Sequence, residues 1–508
     1  MSPTAGRVGS DPVPGYPRPR NVRPVLIAEL GGESGDVAVT GVTHSSASVL
    51  PGDLYAALPG ARVHGAQFIP EALRRGAVAV LTDPAGVRPE AGIPFIVVDK
   101  PRDVLGDVAS KVYGEPTRRL TTVGITGTAG KTSTTYLIEA GLRAAGQVTG
   151  LIGTVETRLG DLSVESVRTT PEATDLHALF AAALERGVQS VAMEVSSHAL
   201  EVGRVGGVRF AAAGYTNFGL DHLDFHPSVE AYFAAKARLF DGRAAVEILN
   251  FDDMSVMRLR KPTSWTYSVA GEHPIQGDSA DFGVSGVTTD GYGQAFDVHW
   301  RGRTVRSGVQ LPGRHNVANA LLAVASLVAV GVDLDVAARA VAQAPGSPGR
   351  MERVDVPGEV VGVVDYAHKP DAMVEVLKAL RGLATARGGR VICVVGAGGD
   401  RDRGKRPLMG RAAAQGADLV IVTDDNPRTE DPAAIRAEVL TGAGDGPAGV
   451  VEVGGRRDAI AYAVAEAKPG DVVALLGKGH ERGQEIGGEI LPFDDRVELA
   501  AALREAAS

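Results

Sequence analysis

At 508 residues the chain is longer than one hydrophobic core usually organises, so we expect two to four domains, and three fit the spacing of its motifs. With 44% apolar residues, 22% charged residues and 65 glycines, the composition excludes a disordered or fibrous protein and is typical of an α/β enzyme. The net charge of −9 excludes a general nucleic-acid binder, which needs a basic surface to displace the counterions of the phosphates.

Residues 1–24 contain prolines and arginines but no continuous apolar segment, so we predict a disordered tail and no secretory signal. The most apolar later stretch, residues 320–332, is shorter than the roughly 18 to 20 residues that a membrane span needs. The single cysteine, Cys393, lies in an apolar run and indicates a buried strand residue in a reducing compartment. We expect a cytoplasmic protein with no membrane span and no nucleic-acid partner, and we expect it to be a monomer.

Apolar runs alternate with alanine-rich helical patterns along most of the chain, which favours parallel sheets with crossover helices. Gly114-Glu115-Pro116 predicts the end of a first domain, residues 25–116. A central domain, residues 117–346, then begins with a strand around residues 123–125. Its segment 270–310 is rich in glycine, threonine and valine, which predicts antiparallel strands.

A glycine loop follows the strand at residues 123–125 and precedes a helix predicted for residues 132–145. Its backbone N–H groups can surround a phosphate at a helix N-terminus, its lysine can place a charge on the outer phosphates, and its threonine hydroxyl can bind Mg²⁺. Ile125 stands where the longer loop pattern has a glycine, so the match is to the compact GxxGKT form. The predicted ATP-binding residues are Gly127, Thr128, Ala129, Gly130, Lys131, Thr132 and Ser133.

A proline and glycine cluster at residues 345–349 predicts a linker to a third domain, residues 347–508. Four apolar runs in this domain are separated by helical patterns, which predicts a second doubly wound sheet. The predicted strands lie at residues 360–364, Val391–Val395, Leu419–Val422 and Val472–Leu476.

The tetrapeptide Asp425-Asn426-Pro427-Arg428 follows the third of these runs. Asn-Pro favours a turn and would hold Arg428 on a rigid loop, where its planar guanidinium suits bidentate pairing with a carboxylate. Alone, this sequence is an ordinary turn. Together with the phosphate loop it indicates an ATP-driven ligase that recognises a carboxylate-bearing amino acid.

Several further motifs make the chain resemble the Mur ligase family, from about Gly41 to the C-terminal region. The resemblance implies a three-domain α/β fold with a central phosphate-loop nucleotide domain and a C-terminal Rossmann-like domain. It also implies an enzyme of peptidoglycan synthesis that joins meso-diaminopimelate to the D-glutamate carboxylate of UDP-MurNAc-L-Ala-D-Glu through an acyl phosphate, while ATP is split to ADP and phosphate. The motifs lie at residues 193–198, 216–224, 232–236, 311–319, 348–352 and 477–481.

The resemblance assigns Glu194, His222 and Lys236 to a Mg²⁺ site together with Thr132, and assigns Lys131 a catalytic role beside them. Lys236 matches the family position that reacts with CO₂ to form a carbamate. Carbamylation turns a cation into an anionic oxygen ligand, which a hard ion such as Mg²⁺ prefers.

The resemblance also implies further contacts to the two nucleotides and to the dipeptide. Asn316 matches an adenine-side asparagine and Arg350 a phosphate-contacting arginine. The positions that match the muramoyl-dipeptide and uridine contacts are Thr169, Thr170, Ser196, Arg204, Ser46, Ala61, Arg62 and Val63. The chain departs from the family pattern at Ser45 and Ala47, where Asp and Arg are usual, at Val202 in place of a glutamine, and at Arg168 in place of an asparagine.

The amino-acid site implied by the resemblance lies in the third domain. A second amino-acid head group distinguishes meso-diaminopimelate from lysine, and its carboxylate would be costly to bury without a cation. Arg428 is therefore the residue predicted to discriminate between the two. The matching positions are Arg401, Asp425, Asn426, Pro427, Arg428, Gly477 and Glu481.

Two other functions remain open at this point. A folylpolyglutamate synthetase would use the same acyl-phosphate strategy and nucleotide domain, but it needs neither an N-terminal UDP domain nor the Asp-Asn-Pro-Arg turn. A catalytically silent nucleotide-binding regulator would need the scaffold without the catalytic set, whereas Lys131, Glu194, His222 and Lys236 are all present.

Overall fold

A computed structural model describes residues 15–33, 36–219, 221–222, 225–270 and 279–506. The chain divides into two units. The first unit contains residues 1–126, 146–213 and 220–245, and the second contains residues 127–145, 214–219 and 246–508. The central region therefore contributes chain segments to both units.

The strands and helices follow in chain order. The N-terminal region contains β1 Val25–Leu26, β2 Ala38–Val39, β3 Gly41–Thr43, β4 Asp53–Ala56, α1 Ile69–Arg74, β5 Ala79–Thr82, β6 Phe95–Val97 and α2 Pro101–Val112. The central region contains β7 Thr121–Thr126, α3 Lys131–Ala144, β8 Thr149–Ile152, β9 Glu156–Leu159, β10 Leu162–Glu165, α4 Ala173–Glu185, β11 Ser190–Glu194, α5 Ser197–Glu201, β12 Phe210–Tyr215, α6 Val229–Ala237, β13 Ala244–Asn250, α7 Met254–Met257, β14 Trp265–Ser268, β15 Phe282–Asp290, β16 Gly293–Trp300, β17 Arg303–Val309, α8 Arg314–Ala329 and α9 Leu334–Gln343.

The C-terminal region completes the series. It contains β18 Glu352–Val354, β19 Val361–Asp365, α10 Pro370–Ala386, β20 Val391–Val395, α11 Lys405–Gly416, β21 Leu419–Val422, α12 Pro432–Ala443, β22 Gly449–Glu452, α13 Arg456–Ala465, β23 Val472–Leu476, β24 Gly483–Ile486, β25 Glu489–Pro492 and α14 Asp495–Ala506. No helix among the described residues is both long and apolar enough to cross a membrane.

Within the first unit, β3, β4, β5 and β6 form a parallel sheet. Its apolar residues share one core with α2 and α4. Helix α2 closely approaches the segment after α5, where a Cβ atom at Gly106 would lie 2.5 Å from the backbone of Gly206. Strand β11 pairs in parallel with β7 on one side and β8 on the other, so their carboxyl ends share one edge.

Residues 15–24, predicted as part of a disordered tail, make defined contacts within the first unit. The Tyr16 hydroxyl accepts the N–H groups of Val167 and Arg168 at 3.2 and 3.4 Å, and the Arg18 guanidinium donates to Asp53 at 2.7 Å. Residues 1–14 of the predicted tail lie outside the described residues. The partners are distant along the chain, so the local composition did not indicate them.

Within the second unit, α3 packs against α8 and α9. Strands β15, β16 and β17 pair antiparallel, which confirms the prediction for the segment 270–310 except for residues 271–278, which lie outside the described residues. Strands β19, β23, β20, β21 and β22 run parallel, with β18 antiparallel at one edge. Their valine-rich runs are buried, as parallel strands covered on both faces require.

The C-terminal sheet confirms the predicted doubly wound arrangement. Three predicted strands have the predicted bounds, and the first, predicted at residues 360–364, is shifted by one residue to Val361–Asp365. Cys393 is buried in β20 and burial raises the pKa of its thiol to about 12, so it is an inert strand residue. Because the strands are parallel, the loops after β20, β21 and β23 lie at one edge of the sheet.

A fully buried ion pair connects α13 and α14 near this edge. The Arg456 guanidinium lies 2.6 and 2.7 Å from the two carboxylate oxygens of Asp495. It also donates to the carbonyls of Leu476 and Asp424, at 3.1 and 3.4 Å. Arg456 therefore connects the ends of β23 and β21.

Replacing Asp495 with asparagine leaves the buried Arg456 charge uncompensated, so we expect a loss of about 3 to 5 kcal/mol in the free energy of unfolding. Urea denaturation of the full-length protein measures this loss. Glu498→Gln is the matched control, because its partner on α13, Arg457, has a side chain that is 67% exposed. A loss for Asp495→Asn no larger than that of the control would contradict the proposed structural role.

A pH dependence follows from His177, which is buried in α4 with its ring Nε2 2.8 Å from the Gly206 carbonyl oxygen. Burial lowers its pKa from 6.5 to about 4. The unfolded chain therefore binds a proton between these values when the folded chain does not, and stability is lost as the pH falls from about 6.5 towards 4, by roughly 3 kcal/mol for this group.

Thermal unfolding of wild type and His177→Gln between pH 7.5 and 4.5 measures this effect, and the variant should lose less stability over that range. Part of the slope should remain, because burial also lowers the pKa of His368 and of His480 to about 4. His299→Gln is the control, since its ring bonds the exposed Ser285 and Thr304 side chains. Identical pH profiles for wild type and His177→Gln would refute the prediction.

Candidate active site

The predicted phosphate loop lies directly before α3, as its sequence requires. Gly127 and Gly130 have φ values of +141° and +85°, which residues other than glycine rarely adopt. The Lys131 ammonium donates to the carbonyls of Gly127 and Thr128, at 2.8 and 3.0 Å. Thr132 and Ser133 are buried in the first turn of the helix. The loop thus combines a helix N-terminus and a lysine charge, which together favour binding of an anion.

The segment 216–219 holds this loop, an arrangement that the sequence did not predict. The Asn217 carbonyl accepts the N–H of Thr128 at 2.9 Å, and its side-chain oxygen accepts the N–H of Ala129 at 3.1 Å. The Thr216 hydroxyl donates to the Ala129 carbonyl at 2.6 Å. In this arrangement the N–H groups of Thr128 and Ala129 bond Asn217, so they are not available to a phosphate.

Asn316 and Asn319 lie in the first turns of α8, and Asn319 lies against Gly130 of the loop. The Asn316 amide donates to the Pro312 carbonyl at 2.8 Å, and its oxygen lies 3.2 Å from the Asn319 amide nitrogen. A Cβ atom at Gly130 would overlap the Asn319 side chain. Both polar ends of Asn316 are thus engaged, and its adenine contact stays a prediction. The Asn-x-x-Asn spacing was the signal that could have identified Asn319.

Arg350 lies on the short segment before β18, and its guanidinium stacks over the Tyr366 ring at 4.5 Å from the ring centre. Its buried Nε has no hydrogen-bond partner among the described residues, so part of its donor capacity is unused. Asp365 accepts the N–H groups of Met351 and Ala367 at 2.7 and 2.6 Å, which fixes the backbone beside Arg350. This geometry fits the predicted phosphate contact, and Asp365 is a supporting residue that the sequence did not reveal.

A cavity of about 270 Å³ in the first unit brings together two residues predicted for the uridine side. Ser46 and Val63 both line it, together with Tyr55 and Arg102. The Ser46 hydroxyl donates to Glu71 at 2.8 Å. Ala61 and Arg62 are exposed on the turn beside Val63 and are not among the lining residues.

The residues predicted for the dipeptide form a network with a buried glutamate. Arg204 lies 2.7 Å from Glu172, and it donates to the Thr170 carbonyl at 3.3 Å. Arg102, from the cavity, pairs with the other oxygen of Glu172 at 3.3 Å. Burial opposes the charge of Glu172, but its contact with Arg204 keeps the pKa below the usual value. The ion-pair network thus connects the cavity to Thr170, and Glu172 and Arg102 were missed by the sequence analysis.

Glu194 ends β11, and its carboxylate accepts the N–H and hydroxyl of Thr154 at 2.8 and 3.1 Å. The Thr154 hydroxyl also contacts Thr169 at 3.1 Å. The Thr170 hydroxyl donates to the Glu194 carbonyl at 2.9 Å and accepts the N–H of Ser196 at 3.1 Å. The structure therefore brings together Glu194, Thr169, Thr170 and Ser196, all of which were predicted site residues.

The other predicted metal-site residues of the first unit are Lys236 and His222. Lys236 is 1% exposed in α6, with its ammonium 4.6 Å from the centre of the Tyr232 ring. His222 has a φ of +52° and a half-exposed ring, whose Nε2 lies 3.4 Å from Asp221. The described residues contain no group of three or more His, Cys, Asp or Glu side chains that could hold a metal. The fourth predicted ligand, Thr132, belongs to the second unit.

The predicted amino-acid site lies at the carboxyl edge of the C-terminal sheet. The Asn426 amide donates to Glu481 at 2.9 Å, so the loops after β21 and β23 are in direct contact. Gly477 has a φ of +113°, and a Cβ atom there would lie 3.5 Å from Asp425. Arg401 is exposed on the loop after β20 and makes no ion pair within the described part of the chain. The three predicted loops thus meet at one edge.

Arg428 is held in a strained position by the hairpin of β24 and β25. Its φ is +55°, and its backbone exchanges hydrogen bonds with Glu485 and Gly487 at 2.9 and 2.7 Å. Its side chain donates to Glu485 at 3.0 Å and to the Gly399 carbonyl at 2.7 Å. These contacts therefore fix the guanidinium at the carboxyl edge of the C-terminal sheet, directly after Pro427. The hairpin's role was not evident from the sequence.

Comparison with known proteins supports the family assignment along almost the whole chain. Three family models match the chain. They are described as "Mur ligase family, catalytic domain" for residues 38–113, "Mur ligase middle domain" for 125–327 and "Mur ligase, glutamate ligase domain" for 349–479. The UDP-N-acetylmuramoyl-L-alanyl-D-glutamate–2,6-diaminopimelate ligase of Streptomyces avermitilis is 50% identical, over 97% of this chain and 99% of that protein. The chain belongs to the Mur ligase family.

Solved structures agree with the fold of this Mur ligase. A structure of a UDP-N-acetylmuramoyl-L-alanyl-D-glutamate–2,6-diaminopimelate ligase aligns with a TM-score of 0.66 and 32% identity, over 93% of this chain and 96% of that one. A folylpolyglutamate synthase of Mycobacterium tuberculosis aligns with a TM-score of 0.56 and 19% identity, over 73% and 91% of the two chains. The second likeness concerns the fold alone. These matches confirm the prediction that the chain has the three-domain architecture of the Mur ligases.

Replacing Lys131 with alanine removes the positive charge at the phosphate loop of this Mur ligase. We expect kcat/KM for ATP to fall roughly 10²- to 10³-fold, as for loss of one group that stabilises developing charge, while thermal unfolding changes little. Lys261→Ala is the control, because Lys261 pairs with Glu247 and belongs to no predicted site. Wild-type-like turnover by folded Lys131→Ala protein would refute the assignment.

Proposed function

We propose that this Mur ligase joins an amine of meso-diaminopimelate to the D-glutamate carboxylate of UDP-MurNAc-L-Ala-D-Glu, with ATP split to ADP and phosphate. The similarity to named 2,6-diaminopimelate ligases at up to 50% identity supports this substrate. The observation that carries it within the structure is the Arg428 guanidinium, held by Glu485 and the Gly399 carbonyl at the same sheet edge as the Asn426–Glu481 contact. A cation and an anion at one edge suit the carboxylate and the ammonium of an amino-acid head group.

The reaction needs two steps, because a free carboxylate is a poor acyl donor. In the first, a carboxylate oxygen of D-glutamate attacks the γ-phosphorus of ATP, which forms an acyl phosphate and releases ADP. In the second, the neutral amine attacks the acyl carbon, the C–O bond to phosphate breaks, and the amine loses a proton. Lys131 and Arg350 supply positive charge for the phosphates, and Arg428, Asn426 and Glu481 orient the amine donor.

We propose that Mg²⁺ is held within the first unit by Glu194, His222 and a carbamylated Lys236. A carboxylate and a carbamate supply the oxygen ligands that this ion prefers, and a bound Mg²⁺ would offset phosphate charge. The fit depends on the modification, because a buried ammonium cannot bind a cation. Glycine at position 153 allows the Glu194 carboxylate its place, because a Cβ atom there would lie 2.5 Å from a carboxylate oxygen.

The remaining predicted residues would contact the two nucleotides and the UDP-linked dipeptide. Asn316 would contact adenine, the cavity at Ser46 and Val63 would take part of the uridine nucleotide, and Thr170 and Arg204 would hold the dipeptide. We assign the reaction to the cytoplasm, because ATP and a UDP-linked precursor are its substrates. The expected monomer stays a prediction that light scattering can test, as do the domain limits at residues 24, 116 and 346.

A single assay separates this function from its alternatives. Purified protein is incubated with ATP, Mg²⁺ and UDP-MurNAc-L-Ala-D-Glu, and ADP release is measured with meso-diaminopimelate, lysine, lanthionine or glutamate. We expect release with meso-diaminopimelate, and mass spectrometry should show the tripeptide product. A parallel reaction contains a folate in place of the UDP-linked substrate, and release only there, with glutamate, would favour a folylpolyglutamate synthetase. No release with any pair would favour a silent regulator.

Lys236→Arg should abolish turnover, because arginine keeps the positive charge but forms no carbamate. Lys236→Ala should also be inactive and should regain part of its turnover with small carboxylic acids, which supply an oxygen ligand. Wild-type activity should fall when dissolved CO₂ is depleted and return when it is restored. An active wild-type enzyme whose intact mass, under native conditions, shows permanently unmodified Lys236 would rule out the carbamate.

Arg428→Ala should remove a charge-assisted pair with the distal carboxylate of meso-diaminopimelate. We expect kcat/KM for this amino acid to fall by about 30-fold to several thousand-fold, equivalent to roughly 2 to 5 kcal/mol. Lysine should stay a poor substrate and lose little, because it lacks that carboxylate. Both values are measured at saturating ATP and UDP-linked substrate.

Arg403→Ala is the matched control for Arg428→Ala. Arg403 lies on the loop after β20, and its side chain is 65% exposed. Its guanidinium pairs with Glu430 at 2.6 Å. It should leave both kcat/KM values nearly unchanged. Equal proportional losses for the two amino acids in Arg428→Ala would mean that Arg428 supports the β24–β25 hairpin and does not select the substrate.

A further inference from the structure

Lys478 is a buried lysine that the proposed mechanism has not used. It follows β23, its side chain is 0% exposed, and its ammonium lies 3.0 Å from the side-chain oxygen of Asn426. The same nitrogen lies 3.3 Å from Oε2 of Glu481 and 3.6 Å from Oδ1 of Asp425. Burying an ammonium is costly unless oxygens surround it, so these contacts explain how Lys478 is tolerated. All three partners are predicted amino-acid-binding residues.

The contact with Asn426 decides which way its amide points. The amide oxygen accepts both from Lys478 and from the N–H of Glu485, each at 3.0 Å. An ammonium and a backbone N–H are donors only, so both require the oxygen end of the amide. The NH₂ end must then face Glu481, to which it donates at 2.9 Å.

The two carboxylate oxygens of Glu481 differ in their contacts. Both Asn426 and Lys478 contact Oε2, and within the described ranges no hydrogen bond reaches Oε1. The Glu481 side chain is 34% exposed, and Oε1 is not one of the buried polar atoms that lack a partner, so this second oxygen is accessible from outside the protein. This oxygen is therefore the part of Glu481 that is left to accept from a ligand.

We propose that Lys478 is a positioning residue for the amino-acid site, an inference that rests on the proposed function. By fixing the Asn426 amide and Oε2 of Glu481, it presents Oε1 of Glu481 to one ammonium group of the incoming amino acid. Lys478 itself does not touch that substrate. Its loss should weaken amino-acid binding selectively and leave the binding of ATP and the UDP-linked substrate unchanged.

Lys478→Met tests this role, because methionine fills similar space without charge or donors. We expect KM for the amino acid to rise 10-fold or more, while KM for ATP and for UDP-MurNAc-L-Ala-D-Glu changes less than 2-fold. In a Glu481→Gln background, Lys478→Met should add less than a 3-fold further rise, because both changes affect one contact. Lys378→Met, on the same domain's α10, is the matched control and should change none of the three KM values.

ADP release by the wild-type protein tests the proposed function independently of the Lys478 variants. If it releases ADP with another amino acid and not with meso-diaminopimelate, the substrate assignment fails, and the KM ratios for Lys478→Met are taken with the amino acid that it accepts. A parallel rise in all three KM values, or full additivity with Glu481→Gln, would overturn the positioning role. If Lys478→Met does not fold, as judged by circular dichroism, Lys478→Gln provides the same ratios.

Discussion

The loops that carry the predicted amino-acid site depend above all on the buried pair of Arg456 and Asp495. Arg456 also donates to the carbonyls of Asp424 and Leu476, the residues directly before Asp425 and Gly477. It therefore fixes the points at which two site-bearing loops leave the sheet. An apolar replacement of the pair could lower the desolvation cost, but it would leave both carbonyls without this donor. The ion pair is thus explained by loop placement better than by stability alone.

A comparable arrangement serves the first unit. Glu172 binds Arg102 on one side and Arg204 on the other, so one buried carboxylate connects the cavity near Ser46 with Thr170. Arg204, whose side chain is 8% exposed, could not be buried at low cost without this partner, whereas the Arg102 side chain is 39% exposed. In each unit the residues that would meet substrate are positioned by buried charged residues behind them.

Residues adjacent in sequence were predicted well, and contacts distant in sequence were not. The phosphate loop, the strand Val391–Val395 and the turn at Asp425-Asn426-Pro427-Arg428 each carry a local pattern that specifies their geometry. The bonds of Asn217 to the loop, and of Lys478 to Asn426, join segments far apart along the chain. A lone asparagine or lysine is ordinary at a surface, so only the tertiary structure reveals such a partner. The defined contacts of residues 15–24 escaped prediction for the same reason.

The left-handed backbone of Arg428 carries a conformational cost that is set against the role proposed for its side chain. A side chain with a φ of +55° costs about 1 kcal/mol relative to glycine, which adopts this conformation freely. The bonds of Arg428 to Glu485 and the Gly399 carbonyl stabilise the fold in return, so a screen scored only on heat tolerance weighs these two bonds against the backbone cost. Enrichment of glycine or asparagine in such a screen would show that the guanidinium contributes less to folding than its backbone conformation costs.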